Sequence, residues 1–239
     1  MKKDSIFDWA CATIAEGYTQ MDHQLGYRFL LGPKETLRPS TKILFLSLNP
    51  GGSTIPLDHP SESCEEYHAI LAEKWGHNAP GQAPLQKQIQ VLFNDLATFL
   101  PEKSTGKELL THSIFAYYLP FRSPNYQQLH QKEASRQLAF ALWSKIVTVI
   151  DPRLIICINN ETFADITRIL EQRDALAPET RKTSVGWGNI TAEIKKYHGP
   201  GKKYCVLRFP HLSRFKIFAR PTSKPSTDNL LAQAAEYIT

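Results

Sequence analysis

Three stretches of this chain place polar side chains directly after an apolar run. Ile43-Leu44-Phe45-Leu46-Ser47-Leu48 leads into Asn49-Pro50-Gly51-Gly52. Pro50 has no N–H and a fixed φ, and the two glycines accept backbone geometries that other residues resist, so a strand through this run stops at Asn49. A side-chain amide at such a strand end can orient a water or read a polar ligand; an ordinary strand-to-loop turn is the plain alternative. The run from His112 to Leu119 ends in Pro120-Phe121-Arg122-Ser123-Pro124, and Tyr204–Phe209 ends in Pro210-His211-Leu212-Ser213. The eight histidines show no metal-ligand spacing and Cys11, Cys64, Cys157 and Cys205 form no Cys-x-x-Cys pair, so neither a metal site nor a cofactor is expected.

The elements that must hold these strand ends follow from periodicity. Ile43–Leu48 and Arg153–Ile158 are saturated with apolar residues, the pattern of parallel strands buried on both faces. Helical spacing covers Ile6, Trp9, Ala10, Ile14 and Tyr18, then Pro84 to Leu100, then Glu133 to Ile150 with Leu138, Leu142, Ile146 and Val149 on one face and Asp151-Pro152 as a stop. Asn159 or Asn160 caps a helix carrying Phe163, Ile166 and Leu170. A short helix is predicted around Ser63–Trp75, followed by a long Pro/Gly-rich loop over the site. Gly188–Tyr197 and Lys203–Phe209 read as a hairpin across His198-Gly199-Pro200-Gly201, and a last helix runs from about Ser226 to Ile238. Strand–helix alternation predicts an α/β fold: three layers, α/β/α, around a central, mostly parallel β-sheet. In such a sheet the three strand ends converge at the carboxyl rim, where ligands bind.

The chain of 239 residues is read as one domain spanning 1–239, with a helical N-terminal extension over 1–39 and a C-terminal helix over 226–239. No apolar segment approaches membrane-spanning length, and Met1-Lys2-Lys3-Asp4 does not open a signal peptide. Cys157 and Cys205 lie in apolar runs and are expected to be buried thiols, which fits a reducing cytoplasm. The net charge of +5 is concentrated. Between Arg181 and Lys224 stand eleven Lys and Arg residues and one acid, Glu193. That asymmetry points to a polyanion, with a solvated basic face as the alternative.

Taken together, the three motifs resemble those of the uracil-DNA glycosylase superfamily. Leu46-Ser47-Leu48-Asn49-Pro50-Gly51 is similar to its Gly-x-Asn-Pro-Gly first motif, and His211-Leu212-Ser213-Arg214-Phe215 to its His-Pro-Ser second motif with a DNA-inserting loop. Tyr117 to Pro124 is similar to the middle strand with its Arg-x-Pro ending, so the resemblance spans roughly residues 40 to 220. It implies a monofunctional DNA glycosylase that flips uracil or a related deaminated or damaged base and hydrolyses its N-glycosidic bond. Asn49 and His211 would be catalytic, the first holding water, the second donating to the departing base. Leu48, Pro50, Gly51, Tyr67 and Tyr117 would form the base pocket; Ser213, Arg214, Phe215 and Lys216 would contact DNA, with Arg214 or Phe215 filling the gap left by the base.

The partner implied is DNA, duplex or single-stranded, engaged by a monomer away from membranes. Three positions depart from the family pattern: Ser47 stands for glycine, Leu212 for proline, and Tyr117 where many relatives read the base with asparagine. Two other readings remain open: a non-catalytic nucleic-acid-binding protein with this fold, and an α/β enzyme acting on free nucleotides.

Overall fold

A computed structural model describes residues 5–54, 62–63, 67–101, 103–174, 177–199 and 202–239. Six strands form one sheet in the order β2-β1-β3-β6-β5-β4. The four strands β2 (Ile114–Tyr117), β1 (Ile43–Ser47), β3 (Leu154–Cys157) and β6 (Lys202–Arg208) are mutually parallel. The antiparallel strands β5 (Ile190–Gly199) and β4 (Glu179–Trp187) extend the sheet at the β6 side. The mostly parallel α/β prediction therefore holds.

Alternation along the strands separates two cores. Ile43 and Phe45 of β1, with Ile156 of β3 and Phe115 of β2, face one side, where α3 (Pro84–Thr98), the short α4 (Gly106–Thr111) and α7 (Lys224–Ala235) pack. Leu44 and Leu46, with Ile155 and Cys157, face the other, covered by α1 (Ile6–Gln20), α5 (Lys132–Ile150) and α6 (Asn160–Asp174). Strands buried on both faces have no polar side, which is why their sequences read as unbroken apolar runs.

The N-terminal segment is part of the core, not an extension of it. Ala10 and Ile14 of α1 are fully buried, and Phe29 and Leu30 pack under the same helices. Residues from Tyr27 to Leu31 run antiparallel along the outer edge of β2: Tyr117 N–H donates to Phe29 O at 3.0 Å and Leu31 N–H to Phe115 O at 2.7 Å. This covers an edge that would otherwise expose unpaired backbone groups.

Three other elements differ from expectation. The helix predicted over Ser63–Trp75 is a single turn, α2 (Ala69–Ala72), while α4 and β4 carry no strong sequence signal. β4 is mostly exposed and polar, so it lacks the alternation that marks a half-buried strand, and its partner β5 defines it. Met1–Asp4, Cys64 and the hairpin apex Pro200-Gly201 lie outside the described residues. Cys157 and Cys205 are buried free thiols, their pKa values pushed up by burial. Among the described residues no helix is long and apolar enough to cross a membrane.

Candidate active site

The carboxyl ends of β1 and β2 and the segment after β6 open onto one cleft of about 860 Å³. Its walls include Leu48, Asn49, Gly51, Tyr117, Arg122 and His211, so all three polar strand ends meet as the sequence predicts. Pairing between the first two continues past the regular strands. Tyr118 N–H donates to Ser47 O, Leu119 N–H to Leu48 O, and Ser123 N–H to Pro50 O. Arg122 crosses back to donate to Gly51 O, which ties the two loops together. Gly52 beside it has φ of +116°, a conformation that favours glycine.

The β2 end is anchored from beneath. Trp143 of α5 donates its indole N–H to Tyr118 O at 2.9 Å. The buried Tyr118 hydroxyl donates to Asp165 of α6 at 3.0 Å, and Arg136 of α5 binds both oxygens of that carboxylate at 2.7 and 2.8 Å. A hydrogen-bonded network satisfied in this way rigidifies the layer from which the Arg122–Ser123 loop departs.

Asn49 has a determined orientation. Its Nδ2 donates to Ser123 Oγ at 2.9 Å and to Pro50 O at 3.0 Å. The Ser123 hydroxyl donates its one hydrogen to Asn125 O at 2.9 Å, so it can only accept from Asn49. A carbonyl likewise only accepts. The two contacts therefore require the amide nitrogen on this side and leave Oδ1 as the group available to a ligand. No hydrogen bond to Oδ1 occurs among the described residues.

His211 lines the cleft beyond β6, held by an Nδ1···Ser213 Oγ contact of 2.8 Å. Its side chain reaches solvent, yet protein crowding around the ring lowers its pKa below the ordinary histidine value, so the neutral form prevails at pH 7. If Ser213 donates to Nδ1, the ring proton resides on Nε2 and that nitrogen is the donor. Leu212 is fully buried in the core, and Arg214 and Phe215 N–H groups both donate to His211 O at 3.0 Å. The leucine thus anchors this turn by packing.

The wall opposite came with little sequence signal. Glu73, Lys74, Trp75 and Gly76, together with Tyr126, complete the cleft. Arg28, fully buried, grips Glu73 with two bonds of 2.8 and 2.6 Å, and Trp75 donates its indole N–H to Glu73 Oε1 at 2.7 Å. Two glutamines one turn apart on α3 hold the loop. Gln86 donates to Ala69 O and Glu73 O, and Gln90 to Ile70 O and Gly81 O. The Pro/Gly-rich loop predicted to lie over the site is the one hint the sequence offered; nothing in it links Arg28 to residue 73.

Several predicted contributions are corrected. Tyr67 is exposed and does not line the cleft; Tyr117, Trp75 and Tyr126 are the aromatic residues that do. Pro50 acts through its carbonyl rather than as a wall. Phe215 is not a projecting wedge: it is half-buried, with its ring edge-on to Trp187 at 5.9 Å. Ser213, Arg214 and Lys216 remain exposed on the rim.

The basic run is also less free than its composition suggests. Arg208 lies 3.6 Å from Glu193, Lys195 pairs with Glu171 at 3.2 Å, and Lys224 with Asp228 at 2.9 Å. Arg181, Lys182, Arg214, Lys216 and Arg220 make no ion pair among the described residues. Among those residues there is also no cluster of three His, Cys, Asp or Glu arranged to hold a metal ion. No model of a known protein family matches this chain, and no curated protein does.

Proposed function

We propose that this protein is a monofunctional DNA glycosylase that releases uracil or a related deaminated or damaged base by water attack. The observation that carries the reading is the pairing of an amide with a determined orientation, Asn49, and a neutral imidazole, His211, on one cleft. The resemblance of the strand-end motifs to the uracil-DNA glycosylase superfamily supports it as well.

In this reading the flipped nucleotide enters the cleft with its base among Tyr117, Trp75 and Tyr126. Trp75 is held for stacking by its bond to the Arg28–Glu73 pair. As the N-glycosidic bond lengthens, its electron pair moves to the base and positive charge develops on the sugar. His211 donates a hydrogen bond to the base oxygen that gains charge, and so stabilises the transition state more than the ground state. Water, held by Asn49 Oδ1, forms the new bond to the anomeric carbon. An amide cannot take up the proton, which passes to solvent, so Asn49 positions the water rather than activating it. Turnover is slow in consequence.

Arg214, Lys216 and Arg220 on the rim supply phosphate contacts. The test is base release from oligonucleotides carrying uracil, hypoxanthine, xanthine or a G·T mismatch, with Asn49→Ala and His211→Ala beside the parent. Abasic sites formed by the parent and lost in both variants are the expected result. No release at enzyme excess, with DNA binding intact, overturns the catalytic reading in favour of a non-catalytic DNA-binding protein.

A further inference from the structure

β4 and β6 both run antiparallel to β5, so β4 ends on the rim that carries Asn49 and His211. At a strand spacing of about 4.8 Å, its terminal Trp187 stands about 10 Å along that rim from the end of β6. The chain turns here through Gly186-Trp187-Gly188-Asn189, with φ of +68° and +53° at the two glycines. The β4–β5 register also shifts between Ser184 and Trp187, and an irregularity of this kind re-aims a side chain. Trp187 packs on the core yet is only half-buried, beside an exposed turn.

Arg220 is exposed, but its guanidinium is held. Its Cζ lies 4.5 Å from the centroid of the Trp187 ring, and its Nε donates to Thr222 Oγ1 at 2.7 Å. Thr222 is in turn docked on β4: its hydroxyl donates to Gly186 O at 3.4 Å, and a side chain at Gly186 would collide with Thr222 O. The two terminal nitrogens of Arg220 make no hydrogen bond among the described residues. A planar cation ordered by an aromatic ring and a hydroxyl, with its bidentate end unspent, has already met much of the cost of fixing its side chain. On the other side of Trp187 stands Phe215, ring edge-on at 5.9 Å, with Arg214 Cζ 5.3 Å from the Phe215 centroid. Cations and rings therefore alternate along this part of the rim.

The charge here is unbalanced. Nearer to β6, Glu161 and Glu193 stand with Lys182 and Arg208 and leave no surplus. Further out, residues 184–192 carry no charge, and residues 209–223 carry Arg214, Lys216 and Arg220 with no acid. None of these three cations makes an ion pair among the described residues.

An arginine ordered for a phosphate, lying on a half-exposed tryptophan, calls for a ligand that offers a phosphate and a flat ring together. In a duplex the base faces are stacked on one another; in an unpaired strand they are free. We infer that the β4–β5 tip is a docking surface for single-stranded DNA, where a backbone phosphate binds Arg220 and an unpaired base extends the Trp187–Arg220 stack. The choice of DNA rests on the reading of the main cleft. The strand that delivers its base to the cleft continues past His211 onto this tip, so single-stranded substrate is preferred over duplex.

The experiment is fluorescence anisotropy with a labelled oligonucleotide of undamaged mixed sequence, free or annealed to its complement, at matched salt. The single strand is expected to bind about tenfold tighter than the duplex. Arg220→Ala should lower single-strand affinity about fivefold or more, affect the duplex less, and reduce the single-strand salt slope by about 0.7. Trp187→Phe, which keeps an aromatic ring in the core, should lose part of the tryptophan quenching that single-strand binding causes in the parent. Equal affinity for the two forms, or a single-strand preference and quenching that survive both variants, overturns the docking surface. Tight single-strand binding that responds to both variants, with no base release from any damaged substrate, overturns the reading of the main cleft and leaves the surface standing.

Discussion

Removing the Ser123 hydroxyl tests whether the orientation of Asn49 matters. Ser123 is 1% exposed, and its Oγ both accepts from Asn49 Nδ2 at 2.9 Å and donates to Asn125 O at 2.9 Å. In Ser123→Ala both bonds are lost, while Ser123 N–H to Pro50 O survives because it is backbone. Each bond contributes about 1 kcal/mol net, so global stability is expected to fall by about 1–3 kcal/mol. The amide keeps only its Pro50 contact. Its preference for the native orientation drops by about 1 kcal/mol, roughly fivefold in population. A loosened water-holding group adds to that loss, because small misplacements in a reacting constellation can cost up to about a hundredfold.

The expected outcome in single-turnover base release is a rate reduced about 5- to 100-fold, with DNA affinity by fluorescence anisotropy unchanged. Urea unfolding of the same preparation supplies the stability change. A variant that loses the expected stability yet releases base at the parental rate refutes the argument, since Ser123 would then serve the fold and not the amide.

Other perturbations address the frame and the rim. Glu73→Ala removes the carboxylate that holds the fully buried Arg28 with two bonds and is expected to cost about 3–5 kcal/mol in urea unfolding. A loss below about 1 kcal/mol would mean that water reaches Arg28 and the ion pair is not structural. Burial lowers the pKa of His68 to about 3 and of His23 to about 4, both from 6.5. Depressed histidine values mean that the unfolded chain binds more protons, so their contribution to stability is full above pH 6.5 and is lost as pH falls, toward about 4 for His23 and about 3 for His68. The urea midpoint should decline across that window, and His68→Leu should make the decline shallower; a flat profile contradicts the burial argument. Arg214→Ala on the exposed rim should weaken binding to all DNA sequences and reduce the salt slope by about one. An unchanged slope removes Arg214 from the interface.

The sequence alone determined the elements whose physics is local. Ile43–Ser47 and Leu154–Cys157 had to be strands buried on both faces, because an unbroken apolar run of that length has no solvated side to offer. Asn49 had to stand at a strand end, because Pro50 cannot continue a ladder. The order of strands and helices then placed Asn49, Arg122 and His211 on one rim. Three things were decided only by the tertiary structure. The orientation of the Asn49 amide depends on Ser123, seventy-four residues away, and on where that hydroxyl sends its hydrogen. The far wall depends on Arg28 reaching across forty-five residues to Glu73, a pairing that no spacing encodes. β4 is too polar to announce itself and exists because β5 offers it backbone partners. Local pattern fixes which residues must be buried and where strands stop; hydrogen-bond direction and charge pairing are set by contacts between distant segments, which exist only once the chain is folded.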